Sequence, residues 1–175
     1  MKNSTATTFP NFKSDRLVLR PLSDYDLQEI FLLRTDEVVN KYLNRKPCLT
    51  LEDAKEFITN TIEIVKSEKL NYWAIELIAT KKIIGTICLF KVENKPDTCE
   101  MGYELLPSYH RLGIMSEAVA MVLSYAHETV RLQNIEAFVH QDNLQSIGLL
   151  QKFNFCKVSM QSKYNDGTLL YQLNL

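Results

Sequence analysis

The stretch from Cys99 to Val139 constrains the fold more than any other. Cys99 to Leu106 alternates as a strand, and Pro107-Ser-Tyr-His-Arg-Leu-Gly113 breaks it. A helix period then runs from about Ile114 to Val130, and Ile135 to Val139 is extended again. A strand that hands over to a helix and returns as a strand is a crossover unit, so part of the sheet is expected to be parallel. Met115, Val119, Val122 and Ala126 recur at helical spacing and mark the buried stripe of that helix.

The flanking chain supplies the rest of an α+β domain. Arg16 to Arg20 reads as a strand closed by Pro21. Ser23-x-x-Asp26 has the form of a capping box, and Leu27, Ile30 and Phe31 follow at helical spacing. A second helix is expected from Thr50, with Ala54, Phe57, Ile58 and Val65 on one face. The period then drops to two. Trp73, Ile75 and Leu77 alternate with Ala74, Glu76 and Ile78, and Ile83 to Phe90 and Cys99 to Leu106 complete a three-stranded antiparallel meander. After the crossover come a helix from Asn143 to Phe153, a strand from Phe155 to Met160, the turn signal Asn165-Asp-Gly167, and a strand from Leu169 to Leu173. The expected order is β-αα-βββ-α-β-α-ββ, about seven strands and four helices. Residues 1–13 are expected to form a mobile tail and 14–175 a single domain, since no Pro/Gly/Ser linker divides the chain.

Composition removes several classes of function. Twenty basic and twenty-one acidic residues leave no basic excess for nucleic acid. No apolar run approaches a membrane span, and Met1 to Phe12 contains no apolar signal core. Cys48, Cys88, Cys99 and Cys156 form no Cys-x-x-Cys pair and have no histidine at ligand spacing, so no metal site is expected. Unpaired thiols in apolar runs suit a reducing compartment, and a cytoplasmic address is expected.

The chemistry-bearing stretch is Glu100 to Ser116, EMGYELLPSYHRLGIMS. A helix that starts behind a loop offers unpaired backbone N–H groups and the positive end of its dipole, which together attract a phosphate. Gly113 lets the backbone approach an anion closely, Ser116 adds a hydroxyl, and Arg111 adds charge at the same mouth. Neither G-x-x-x-x-G-K-[ST] nor G-x-G-x-x-G occurs. On the preceding strand Glu100, Gly102 and Glu104 share one face, and Cys99, Met101, Tyr103 and Leu105 share the other, which reads as core. Asn143 is placed as a helix N-cap with Ser146 as the third helical residue. Trp73 reads as core, Glu117 as a first-turn acid favoured by the helix dipole, and His127 and His140 show no evident partner.

Four features in order resemble the GNAT superfamily of acetyltransferases, and within it the branch of ribosomal-protein N-terminal acetylases. Asp15-Arg-Leu-Val-Leu-Arg-Pro21 resembles the family's opening strand, and Glu100-Met-Gly-Tyr103 its fourth strand. His110-Arg-Leu-Gly-Ile-Met-Ser-Glu-Ala118 stands in place of its pyrophosphate motif, [Q/R]-x-x-G-x-[G/A]. Asp142-Asn-Leu-Gln-Ser146 with Leu150-Gln-Lys-Phe-Asn-Phe155 resembles its N-x-x-S helix and the phrase after it. Met115 stands where the family has a small residue, His110 replaces the usual first residue, and Asn154 replaces a glycine; asparagine tolerates the left-handed conformation better than most residues.

The resemblance implies a mixed, mostly antiparallel sheet with a splayed parallel pair. It implies acetyl-CoA as co-substrate and direct attack by an amine in a ternary complex, the amine being a peptide or protein N-terminus or a small molecule. By the same resemblance Glu100 is the general base. The backbone of Glu104, Leu105 and Leu106 receives the acetyl carbonyl and the pantetheine arm. His110, Arg111, Leu112, Gly113, Ile114, Met115 and Ser116 hold the pyrophosphate. Asn143 meets the pantetheine arm, and Ser146 lies near the sulfur and assists the leaving thiolate, with Tyr164 and Tyr171 as further candidates. Glu104 is expected to attract the substrate electrostatically or to have no specific part. A catalytically inactive acyl-CoA sensor is the competing reading, with Met115 the one feature in its favour. Oligomeric state stays open, a homodimer through an exposed sheet edge being one outcome.

Overall fold

In a computed structural model, residues 9–158 and 167–175 are described. Eight strands form one sheet: β1 Phe12–Lys13, β2 Leu17–Pro21, β3 Leu70–Leu77, β4 Lys82–Lys91, β5 Thr98–Leu105, β6 Asn134–His140, β7 Cys156–Lys157 and β8 Thr168–Asn174. The helices are α1 Leu27–Thr35, α2 Glu37–Asn40, α3 Leu51–Lys66, α4 Ile114–Tyr125 and α5 Leu144–Lys152. Spatial order is β1-β2-β3-β4-β5-β6-β8-β7, and β5–β6 is the parallel pair among antiparallel neighbours. The α+β class and the crossover stand as expected. The strand expected over Phe155–Met160 is described only as Cys156–Lys157, and Met160, Tyr164 and the Asn165-Asp166 part of the turn lie outside the described residues.

Local signals explain most boundaries. Thr50 and Asp53 cap α3 reciprocally: Asp53 N–H donates to Thr50 Oγ1 at 3.2 Å and Thr50 N–H to Asp53 Oδ2 at 2.9 Å. Met115, Val119, Val122 and Ala126 are all buried, and the helix runs on through a π turn to Val130, the expected end. Asn154 is left-handed, at φ 63°. Near the amino terminus, Phe12 and Lys13 pair with Leu19 and Val18, and Trp73 Nε1–H donates to Pro10 O at 2.8 Å, so the last residues of the expected tail are packed on the sheet.

The sheet separates two cores. One face carries Leu17, Trp73, Ile84, Ile87, Met101 and Ile135 beneath α4. The other carries Tyr72, Ala74, Ile83 and Cys88 beneath α1 and α3. The parallel pairing of β5 and β6 is short, Thr98 to Glu100 against Asn134 to Glu136. Beyond Glu100 the strands part.

Candidate active site

A cleft of about 940 Å³ occupies the parting. Its walls are Glu100 to Leu105 of β5, Ala137 to His140 of β6, the loop and first turn of α4, α5, and Val38 to Leu43 around α2.

Ladder alternation decides which backbone groups face it. Leu106 N–H donates to Ile84 O at 2.9 Å and Val92 N–H to Thr98 O at 3.4 Å. Even-numbered residues of β5 therefore bond β4, and Met101, Tyr103 and Leu105 turn their N–H and C=O toward the gap. This corrects the expected trio. Of Glu104, Leu105 and Leu106, Leu105 alone turns its backbone groups toward the cleft, and its carbonyl lies 2.9 Å from His110 Nε2. His110 thus closes the loop onto the strand.

The start of α4 leaves its backbone donors open. Gly113 is its N-cap at φ 75° and no side chain caps the helix. The first helical bond is Glu117 N–H to Gly113 O, at 3.0 Å, so the N–H groups of Ile114, Met115 and Ser116 have no acceptor within the helix. Arg111 is also left-handed, at φ 61°. Left-handed residues in such a loop gather N–H groups into an anion-binding concavity. Met115 is 8% exposed with its side chain packed in the core, so its bulk is turned inward although the residue lines the cleft. Arg111 lines the cleft, and Lys152 of α5, which the sequence did not single out, donates to Ser116 Oγ at 3.2 Å.

Glu117 has more than a dipole role. It accepts from Arg16 Nε at 2.9 Å and from Ser14 Oγ, while Arg16 Nη1 donates to Leu112 O at 2.9 Å. Arg16 thereby ties the loop before α4 to the helix behind it, and these bonds hold the Glu117 carboxyl below its ordinary range against burial. Arg16 is about half exposed, so the tie is worth roughly 0.5–1 kcal/mol. Arg16→Gln is expected to weaken acetyl-CoA binding about threefold by calorimetry; an unchanged affinity would show that the loop holds its shape without the tie.

Glu100 is the last residue of β5 paired with β6, opposite Glu136. Burial first and the neighbouring Glu136 charge second push its carboxyl upward. Glu136 is itself held by Lys95 at 2.6 Å, leaving Glu100 as the cleft carboxylate without an ion pair among the described residues on this face. Glu104 is different. Arg45 Nη1 lies 2.6 Å from its Oε2 and Arg34 Nη1 lies 3.9 Å from its Oε1, while Thr86 Oγ1 donates to Oε1 at 3.2 Å.

Asn143 caps α5 as expected, its Oδ1 accepting Ser146 N–H at 3.2 Å. Ser146 Oγ lies 2.6 Å from Tyr103 Oη. Tyr103 packs against the core, as its face of β5 implies, but alternation shows a face and not the helix whose Ser146 meets its hydroxyl. Burial pushes its phenol up to about 12, against the opposing hydrogen bond to Ser146. Tyr171 is buried in the core, and Tyr164 lies outside the described residues. His127 is exposed on the π turn. His140, expected to lack a partner, stacks on Tyr42 at 5.5 Å and its Nδ1 accepts Asp142 N–H at 3.2 Å. No helix among the described residues is long and apolar enough to cross a membrane.

Comparison with known proteins agrees with this geometry. A family model described as an acetyltransferase (GNAT) domain matches residues 16–155. The N-acetyltransferase YoaA of Bacillus subtilis (strain 168), itself uncharacterized, is 34% identical over 162 residues, covering 91% of this chain and 92% of that protein. The ribosomal-protein-S5-alanine acetyltransferase of Vibrio fischeri shares the fold at a TM-score of 0.80 and 20% identity, over 94% of this chain and 96% of that one. A GNAT-family acetyltransferase of Bacillus anthracis does so at 0.79 and 22%, over 94% and 98%. The extent of the family match and the identity to YoaA decide the matter: the chain belongs to the GNAT family of N-acetyltransferases.

Proposed function

We propose that the protein transfers the acetyl group of acetyl-CoA to a primary amine, a peptide or protein N-terminus or a small molecule, by direct attack within a ternary complex. The observation that carries this reading is the parting of β5 and β6 at Glu100, directly beside the uncapped start of α4. The N–H groups of Ile114 to Ser116, with Arg111 and Lys152, suit the pyrophosphate. The gap-facing N–H groups of Tyr103 and Leu105 suit the acetyl oxygen, where charge develops during attack. A resemblance to the ribosomal-protein acetylases favours an N-terminal acceptor. Three buried free thiols, Cys48, Cys88 and Cys99, support a reducing, cytoplasmic setting.

Each bond change then has a residue. The amine nitrogen attacks the acetyl carbon and passes its proton to Glu100, directly or through water. The carbon–sulfur bond breaks and the thiolate accepts a hydrogen bond from Ser146. Two hydroxyls joined by one hydrogen bond spend one of their two protons on each other and leave the other for the sulfur. Tyr103, the stronger acid of the two in water, donates to Ser146 Oγ and points the serine proton outward. Tyr103→Phe is expected to lower kcat about tenfold with the KM for acetyl-CoA unchanged. Ser146→Ala should do the same, and the double variant should lose no more than the greater single loss. Additive losses would place the two hydroxyls in separate roles. The reading as a whole is tested by calorimetry with acetyl-CoA. Micromolar binding that Gly113→Val abolishes is expected, since a β-branched residue is strained at φ 75°; absence of binding by the native chain would overturn it.

A further inference from the structure

We infer that the amine acceptor carries a carboxylate, and that Arg45 with Arg34 receives it at the Glu104 wall of the cleft. The inference rests on the acetyl-transfer reading above and names the class of its second substrate.

The charges at that wall do not balance. Arg34 and Arg45, 12% and 21% exposed, share a single carboxylate, Glu104, and neither has another acidic partner among the described residues. Arg34 Nη1 stands 3.9 Å from it, and Arg45 Nη1, though 2.6 Å from Oε2, makes no aligned hydrogen bond there. Arg34 Nε and Arg45 Nη2 are buried without any acceptor. One positive charge is thus left over in a largely dry place, together with two unmet N–H donors. Buried donors are seldom left so, and an uncompensated buried charge is costlier still.

The surroundings hold the guanidinium groups in place without neutralising them. Arg45 Nε donates to Asn40 Oδ1 at 2.9 Å, and Asn40 Nδ2 in turn donates to Arg34 O at 2.8 Å. The Arg34 guanidinium lies 3.7 Å over the Phe57 ring. Thr86 occupies Glu104 Oε1 from the sheet side.

The position of the pair favours the acceptor over the co-substrate. Glu104 lines the cleft, and the chain between the two arginines, Val38 to Leu43, forms its wall. By strand alternation Glu104 shares its face with Glu100, on the side of the sheet that carries α1 and α3, whereas α4 lies on the other. The phosphates of acetyl-CoA are accordingly held elsewhere. From residue 38 to residue 51 the chain has Lys41, Arg45 and Lys46 and no acid. Lys41 and Glu104 line the cleft, and Arg34 and Arg45 stand behind Glu104; Glu100 for the amine and these cations for an anion together describe an acceptor with both charges.

The test is CoA-thiol release from the native chain with matched acceptors. C-terminally amidated peptides beginning Ser-Glu-Glu, Ser-Gln-Gln and Ser-Lys-Lys form one arm, and glutamate, aspartate and their diamides, which keep no carboxylate, the other. In at least one arm the carboxylate acceptors are expected to exceed their amides about tenfold in kcat/KM, the scale of one charge-assisted hydrogen bond. Arg45→Gln should shrink that ratio toward one through KM; Glu104 keeps Arg34 in that variant, and a thermal melt reports that the chain is folded. Whichever arm shows the preference identifies the source of the carboxylate. Equal rates for acid and amide in both arms overturn the inference while leaving acetyl transfer standing, as does a preference that survives in Arg45→Gln. Absence of both acetyl-CoA binding and CoA release overturns the acetyl-transfer reading and this inference with it.

Discussion

Glu100→Gln is expected to lower kcat by about a hundredfold or more, the scale of a lost general base, with acetyl-CoA affinity unchanged. Glutamine keeps the shape of the side chain and removes its capacity to take the proton. The pH dependence gives the sharper signature. The base works only when ionised, so activity falls as pH drops through its pKa. Burial and Glu136 raise that pKa, so the acid limb should lie above the ordinary carboxylate value of about 4.3. Glu136→Gln removes one of the two causes, and the limb should move to lower pH. Glu100→Gln should abolish the limb along with most of the rate. A limb that persists in Glu100→Gln would assign the base to another group.

The largest expected effect on stability belongs to Trp73→Ala, about 3–5 kcal/mol by urea denaturation. Trp73 is fully buried, with Phe9, Phe12 and Tyr125 at ring distances of 5.5, 5.6 and 5.8 Å. Its indole N–H also holds Pro10. Truncation would open a cavity and release the first described residues from the sheet together. CoA release per folded molecule should stay unchanged, because Trp73 lies in the core under α4 and not in the cleft. A loss below 1 kcal/mol would mean that the aromatic cluster repacks.

What was legible in the sequence was what repeats locally. The stripe of α4, the alternation of β3 to β5 and the Thr50–Asp53 cap each follow from residues within a few positions of one another. The crossover and its parallel pair followed from element order. Two elements carried no such signal: β1 has two residues and α2 four, too short for any period to show. At the site, alternation placed Glu100, Gly102 and Glu104 on one face, and Gly113 marked the start of α4. Alternation also placed Tyr103 against the core, where it packs, but a strand's period says nothing of Ser146, 43 residues away, which meets its hydroxyl. The pairing of Arg34 and Arg45 with Glu104, and of Arg16 with Glu117, likewise joins distant segments and leaves no local pattern. Sequence spacing reached the backbone frame of the site, while the side-chain contacts across it belong to the tertiary structure.

The most direct measurement is CoA-thiol release from acetyl-CoA, followed with a panel of N-terminal peptides and small amines, with mass spectrometry of the acceptor. A mass gain of one acetyl group, on the amine nitrogen and in step with thiol release, is the predicted result. Acetyl-CoA bound at the start of α4 with no acetylated amine from any acceptor would contradict the account and return the chain to an acyl-CoA sensor.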